Sequence, residues 1–424
     1  MFQRLLVPKV AASLGCKSFR NATIMSALPQ ARTYSIKADN ASAQPLMDID
    51  PKLLKVQRTE SPKKLLPAKD LIFGKNFTDH MLTVEWSSKH GWYAPQITPY
   101  QNLSLDPATC VFHYAFECFE GLKAYKDKDG VARLFRPDKN MARMNTSAAR
   151  IALPTFGSEA MVELIKKFVA LEERFIPEER GYSLYLRPTM IGTQKTLGVG
   201  PPRSALLYMI ASPVGPYYPT GFKAVSLSAR SDIVRAWPGG CGDKKLGANY
   251  APCIKPQQEA AEQGYQQNLW LFGEEGYVTE VGTMNVFFAW KTPDGKKELI
   301  TAPLDGTILN GVTRDSILEL AREKLTKEGW TISERKFTIG EVAKAADEGR
   351  LLEAFGAGTA AVVSPINKIN WDGGIHGDAR DIHVPLQEGK EAGPLAENFW
   401  KWMAERQYGD VESDWSVKVP KWTE

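Results

Sequence analysis

The sequence predicts an α+β (mixed α/β) fold in two domains, a smaller N-terminal α+β domain and a larger C-terminal one with barrel-like β-sheets. Three observations carry this. At 424 residues, 43% of them hydrophobic, the chain is longer than one hydrophobic core usually serves and can fill two. Short apolar strands are mixed with fewer helices, without the regular βαβ alternation of a doubly wound sheet. Near the middle, "SPVGPYYPTGF" crowds Pro, Gly and Tyr together, as a connection between domains does.

Residues 36–66 are polar and contain Pro and Lys, so they read as an extended arm. The first domain, 67–213, opens on "LIFGKNFTDHMLTVEW", where Met81, Thr83 and Glu85 alternate with Leu82, Val84 and Trp86 in strand fashion. Asp129-Gly130 between two apolar runs marks a hairpin. "RPDKNMARMNTSAARIALP" and "GSEAMVELIKKFVALEERFIP" have helical spacing, the second with Met161, Leu164, Ile165, Phe168 and Val169 on one face. "SLYLRPTMIG" and "SALLYMIASPVGP" are strands rich in apolar residues. After a linker at 214–223, the second domain, 224–424, offers strands at "KAVSLSA", "NLWLFG", "TMNVFFAW" and "ELITAP". Its helices are expected at "IKPQQEAAEQG", "TRDSILELAREKLTKEG" and "TIGEVAKAADEG".

The charge balance, 53 basic against 49 acidic side chains, excludes the clustered basic footprint of a nucleic-acid binder. The basic excess is concentrated at the start. From Met1 to Ala38 there is no Asp or Glu, while Arg4, Lys9, Lys17, Arg20, Arg32 and Lys37 are spread among Ser, Ala and Leu. This is the composition of a mitochondrial transit peptide, assigned to residues 1–35, so the mature chain is expected in the mitochondrial matrix. No later run reaches the ~18–20 apolar residues that a membrane span needs, so no membrane partner is expected. Cys110, Cys118, Cys241 and Cys253 show no CxxC spacing, and the histidines show no HExxH pairing, so no protein-built metal site is expected.

"GGCGDKKLGANYAP" is the most informative stretch. A lone lysine is usually a solvated charge. Here glycines permit close backbone approach, and Leu246, Ala248 and Tyr250 offer poorly hydrated surroundings. Desolvation lowers a lysine pKa and makes the amine a nucleophile. Consecutive side chains of an extended segment point oppositely, so one of Lys244 and Lys245 should enter a site, and composition does not say which. Glu280, in the apolar run "GYVTEVGTMNVFFAW", is either half exposed or paired, since an isolated buried carboxylate is costly. As a functional group it would partner a cationic ring nitrogen such as that of pyridoxal phosphate.

"FGAGTAAVVSP" nominally matches a dinucleotide fingerprint. Pro365 and the lack of βαβ order argue against a nicotinamide site, although Gly356, Gly358 and Thr359 could still present amides and a hydroxyl to an anion. "LNGVTRDSILELA" places a Gly just before a helix, whose N-terminal amides suit a phosphate.

Together, "FHYAFECFEGLKAY", "RLFRPDKNMARM", "SLYLRPTMIG", "GDKKLGANYAP", "YVTEVGTMNVF", "ILNGVTRDS" and "EAFGAGTAAVVSP" resemble the branched-chain-amino-acid aminotransferases, pyridoxal-phosphate enzymes of fold type IV. The resemblance spans about residues 70–409 and is closest to the eukaryotic mitochondrial type. It implies that Lys245, which precedes Leu-Gly-x-Asn-Tyr, is the Schiff-base lysine and that Lys244 is a bystander. It places Arg143, Thr359 and the amides of Val312 and Thr313 at the cofactor phosphate, Tyr250 at its phenolic oxygen and Glu280 at its ring nitrogen. Substrate-side positions carry over as Phe77, Tyr114, Phe119, Tyr185, Arg187, Tyr217, Thr283, Met284 and Ala360. Leu197 and Val199 resemble residues lent by a neighbouring subunit, which implies a homodimer. Mammalian relatives carry a redox CxxC where this chain has Ala361 and Ser364, so thiol regulation there is expected to be absent.

The implied reaction transfers the amino group of leucine, isoleucine or valine to 2-oxoglutarate by a ping-pong mechanism. Competing expectations are a D-amino-acid transaminase, an aminodeoxychorismate lyase, and a non-catalytic sensor on the same fold. "LYLRP" and "KLGANYAP" disfavour the first two, and intact Lys245, Glu280 and Arg143 disfavour the third.

Overall fold

Antiparallel pairing of Ser183–Gly192 with Ser204–Val214, Leu186 opposite Ala211, builds the centre of the first sheet in the computed structural model of this protein. The structure describes residues 45–216, 222–375 and 377–423. His80–Ser87 joins this hairpin on one side and Leu122–Lys126 on the other. Beyond Leu122–Lys126 lies Ala132–Phe135, its hairpin partner, with Gly130 at φ +76° in the turn that Asp129-Gly130 predicted. The helices Pro137–Arg150 and Ser158–Leu171 cover this sheet, and Met161, Leu164, Ile165, Phe168 and Val169 of the second are all buried in its core.

The second sheet closes on itself. Val225–Arg230, Gln267–Phe272, Tyr277–Val281, Met284–Lys291, Leu351–Gly358 and Val362–Trp371 pair in that circular order, and the ring shuts where Val362–Trp371 meets Val225–Arg230. The expected barrel-like sheet is therefore a closed barrel, carrying Lys297–Thr301 and Trp330–Glu334 as an extension. Helix Val312–Lys324 packs against one core of this region and Ile339–Asp347 against another. Thr338 and Glu341 cap the second of these helices reciprocally, which is why it starts where it does.

Leu46–Glu424 forms one compact unit. The final strand, Ser416–Lys418, returns to the first sheet and pairs with Ala132–Phe135, so sheet membership does not follow the expected boundary to the C-terminus. Helix Pro394–Gln407, absent from the sequence reading, is capped by a distant residue, Glu353, whose carboxylate accepts from the Leu395 and Ala396 amides. The dinucleotide-like glycines lie at the end of strand Leu351–Gly358, which forms a hairpin with Val362–Trp371, with no helix after them. The expected transit segment lies outside the described residues.

Candidate active site

A cavity of about 430 Å³ receives side chains from both sheets and from the loop between them, among them Lys245, Tyr250, Glu280 and Arg143. The backbone of Lys245 is pinned on both sides. Its amide donates to Ser147 Oγ at 2.9 Å, and its carbonyl accepts from the Phe119 amide at 3.1 Å. A Cβ on Gly247 would lie 1.9 Å from Glu117 Oε2, so a larger residue here would have to displace that carboxylate. So held, Lys245 Nζ donates to the Tyr250 hydroxyl at 3.0 Å and sits 4.8 Å from the Phe119 ring centroid. Burial, helped by the nearby Arg143 charge, pushes its pKa down to about 8. Lys244 instead pairs with Asp243 and lines a different cavity with Lys139 and Asp315. Lys245 is the lysine that enters the site.

Glu280 is 2% exposed. One oxygen accepts from the Leu309 amide at 2.8 Å and from Asn285 Nδ2 at 3.0 Å, and the other pairs with Arg235 Nη1 at 3.0 Å. Burial pushes its pKa up, against the pull of Arg235. A carboxylate offers about four lone-pair sites, so acceptor capacity remains for a ring N–H. Burial also pushes the Tyr250 hydroxyl up to about 12, aided by Glu280, so Tyr250 acts as a neutral hydrogen-bond donor and acceptor.

Arg143 projects from helix Pro137–Arg150 and is held by Glu120 through Nε at 2.7 Å and Nη2 at 2.8 Å, with Nη1 on the Asn310 carbonyl at 3.0 Å. Beside it, Gly311 caps helix Val312–Lys324. A Cβ on Gly311 would meet Asn285 Oδ1 at 2.0 Å, so a larger residue at this helix start would have to move the buried Asn285 side chain. Arg143, Thr359 and the start of that helix, Val312 and Thr313, all line the cavity and could hold a phosphate. With Glu280 for a ring nitrogen and Lys245 for a carbonyl carbon, the residues fit pyridoxal phosphate.

The remaining wall is apolar with one cation. Phe119, Tyr185, Thr283, Met284 and Ala360 line it. Arg187 donates to Tyr185 OH at 3.0 Å and lies over the Phe119 ring. Its buried Nε has no acceptor, so a donor is left for a ligand carboxylate.

Phe77 requires a correction. It stacks on Tyr100 and lines another cavity, whereas Phe73 lies edge-on to Tyr185 and lines this one. Both phenylalanines stand in "LIFGKNF", and nothing in the spacing separates them. Tyr114, Leu197 and Val199 lie outside the cavity. The Tyr114 hydroxyl donates to the Leu197 carbonyl, and Leu197 and Val199 are 66% and 76% exposed. Tyr217 falls outside the described residues. A Cβ on Gly356 or Gly358 would come within 2.9 Å of the Met284 side chain, so both glycines leave room for it. Glu120, Arg235 and Asn285 were missed in the sequence. The signal for Glu120 was an acid amid the apolar residues of "FECFEGL", and none marked Arg235.

Lysine, phosphate cradle and ring-nitrogen carboxylate define a pyridoxal-phosphate class of site, and the comparisons with known proteins agree. The model of the amino-transferase class IV family matches residues 117–369. The chain is 61% identical over 373 residues, 88% of its length and 93% of the relative's, to the mitochondrial branched-chain-amino-acid aminotransferase of Saccharomyces cerevisiae. It is 47% identical over 369 residues to the mitochondrial enzyme of Rattus norvegicus, covering 86% of this chain and 91% of that one. Among solved structures, the T.th. branched-chain amino acid aminotransferase with pyridoxamine 5'-phosphate superposes with a TM-score of 0.60 at 25% identity, over 80% of this chain and 98% of that one. The chain belongs to the class IV aminotransferases and, within them, to the branched-chain-amino-acid aminotransferases.

Proposed function

We propose that this protein is a branched-chain-amino-acid transaminase that uses pyridoxal phosphate to pass the amino group of L-leucine, L-isoleucine or L-valine to 2-oxoglutarate. The observation that carries this is Lys245 Nζ, desolvated and 3.0 Å from Tyr250 OH, in a cavity that also holds Glu280 and Arg143. The cofactor, when bound, supplies an electron sink for the carbanion left at the substrate Cα.

The chain's own residues do the rest. Arg143, Thr359 and the Val312 and Thr313 amides hold the phosphate, and Glu280 holds the proton on the ring nitrogen. Lys245 Nζ would be the group that holds the cofactor's carbonyl carbon. Freed when substrate binds, the same amine would take the proton from the substrate Cα and hold it for return, one group serving as nucleophile, base and acid. Purified protein should convert leucine and 2-oxoglutarate to glutamate and a branched 2-oxo acid with parallel double-reciprocal lines. Absence of glutamate would overturn the reading.

One pocket must take both an isobutyl group and a γ-carboxylate. Phe73, Phe119 and Tyr185 supply the apolar contact, and Arg187 with its unpaired Nε supplies the charge. Arg187→Gln is therefore expected to raise KM for 2-oxoglutarate about 10- to 100-fold, the worth of a charge-assisted bond, and to leave leucine within about threefold. Equal losses for both substrates in steady-state assays would remove this role.

Leu197 and Val199, apolar and exposed in the single chain, support a homodimer in which each subunit lends them to the other's site. Sedimentation of the purified protein should give twice the chain mass, and a monomer would contradict it. The acid-free start and the mitochondrial forms among the relatives support a matrix location, although a cytosolic Saccharomyces cerevisiae relative is 58% identical. Isolated mitochondria should import and shorten the full chain. Survival of uncut chain outside the organelle would contradict that. The switch of sheets between Val214 and Val225 supports the two-domain division at 214–223.

A further inference from the structure

Away from the reaction cavity, two segments remote in sequence meet on the outer side of helix Ser158–Leu171. Glu163, Lys166, Lys167 and Ala170 recur there at helical spacing, opposite the face that Met161, Leu164, Ile165 and Phe168 bury. The arm brings Lys52 and Arg58 to them, and the C-terminal tail brings Lys421 and Trp422. Together the three segments enclose a cavity of about 540 Å³ that shares no lining residue with the reaction cavity. None of these groups is used in the steps above.

The charge of this lining is nearly all of one sign. Lys52, Arg58, Lys166, Lys167 and Lys421 face a single acid among the described residues, Glu163. That acid answers little of it, lying 3.9 Å from Lys166 with its side chain 49% exposed. Lys167 Nζ donates to the Pro51 carbonyl oxygen at 3.2 Å, and no carboxylate of the described residues pairs with Lys52, Lys167 or Lys421. A lone surface lysine is a solvated charge. Several gathered in one recess repel one another and hold a positive potential that a bound anion lowers. Trp422 supplies an independent sign of a ligand. Its ring packs on the first core and is faced by the Arg58 guanidinium, 5.9 Å from the centroid, while its buried Nε1 has no acceptor. A buried N–H left unpaired is costly, and an anion in the cavity would give it an oxygen.

We propose that this cavity is a second binding site, for a soluble anion carrying two or more phosphate groups, held by Lys52, Lys166, Lys167 and Lys421 together with the Trp422 N–H. Lysines spread over three segments suit an anion with oxygens in several directions at once, as a polyphosphate has and a planar carboxylate lacks. Such a ligand ties the arm and the C-terminal tail to helix Ser158–Leu171.

The test uses the holoenzyme, in which the cofactor already fills the other phosphate site, and inorganic tripolyphosphate as the probe. Calorimetric titration should show saturable one-to-one binding, about tenfold or more tighter than that of orthophosphate. Tm should rise with probe concentration, because a ligand of the folded chain alone stabilises it. The double variant Lys52→Gln/Lys421→Gln, at two exposed positions, is expected to weaken binding about tenfold or more. Trp422→Phe, which keeps a ring and drops the N–H, should weaken it about threefold. As a control, Lys255→Gln/Lys327→Gln removes the same charge from exposed positions of the barrel region and should leave Kd within about twofold. No saturable binding, an unchanged Kd in the first pair, or an equal loss in the control pair overturns the proposal. Should the first pair not fold, Lys166→Gln decides by the same comparison. Phosphatidylcholine vesicles containing phosphatidic acid form the last arm, and binding to them without binding of tripolyphosphate overturns the soluble ligand.

Discussion

Lys245→Ala protein is expected to lose leucine transamination by about 10⁴-fold or more, because one amine serves as nucleophile, base and acid and no neighbour can replace it. Tyr250 is the group nearest to it, and with its hydroxyl pushed up to about 12 it stays protonated at neutral pH. Lys244 is held by Asp243 in another cavity. The variant should still retain the cofactor through Arg143, the helix amides and Glu280, so the loss is read in kcat on protein shown to contain it. The same residue predicts a pH dependence. With its pKa lowered to about 8, the cofactor-free wild type holds Lys245 mostly as ammonium below that pH and as free amine above it. Since only the free amine attacks, cofactor capture should speed up as pH rises through about 8 and then level off. A capture rate still climbing toward pH 10 would mean a solvated lysine.

Glu280→Gln should fold and hold cofactor yet turn over about 10²-fold or more slowly, since an amide no longer stabilises the protonated ring nitrogen that makes the cofactor an electron sink. The amide oxygen can still accept from the Leu309 amide, which separates the charge effect from loss of shape. A structural cost should accompany it. Arg235, 5% exposed on its side chain, loses its counter-ion, and removing one partner of a buried pair costs ~3–5 kcal/mol. Thermal unfolding and single-turnover rates therefore move together in Glu280→Gln. Unchanged turnover at lowered stability would leave the Arg235–Glu280 pair as a structural device only.

The parts legible in the sequence were those set by local pattern. The apolar face of helix Ser158–Leu171, the Asp129-Gly130 hairpin and the capped helix Ile339–Asp347 were each written within a few residues of themselves. The parts that were not legible depend on partners distant in sequence. Arg235, in the loop after Val225–Arg230, meets Glu280 of Tyr277–Val281, Glu353 caps a helix more than a strand away, and Ser416–Lys418 returns to a sheet begun near residue 80. The two glycines of "FGAGT" resemble a phosphate loop in one dimension, yet in three they make room for Met284. Phe73 and Phe77 have the same chemistry four positions apart, and only the path of the chain tells which one meets Tyr185. The lysine pair is the clearest instance. Physics reduced it to one useful amine, the resemblance singled out Lys245, and the geometry puts that amine in the cavity and Lys244 elsewhere.

Borohydride reduction of the holoenzyme followed by peptide mapping tests the central claim most directly. The cofactor label should fall on Lys245 in the peptide containing "KKLGANYAP", with Lys244 unlabelled and leucine added beforehand protecting the site. Label on Lys244, on Lys123 or on any other lysine would contradict the account.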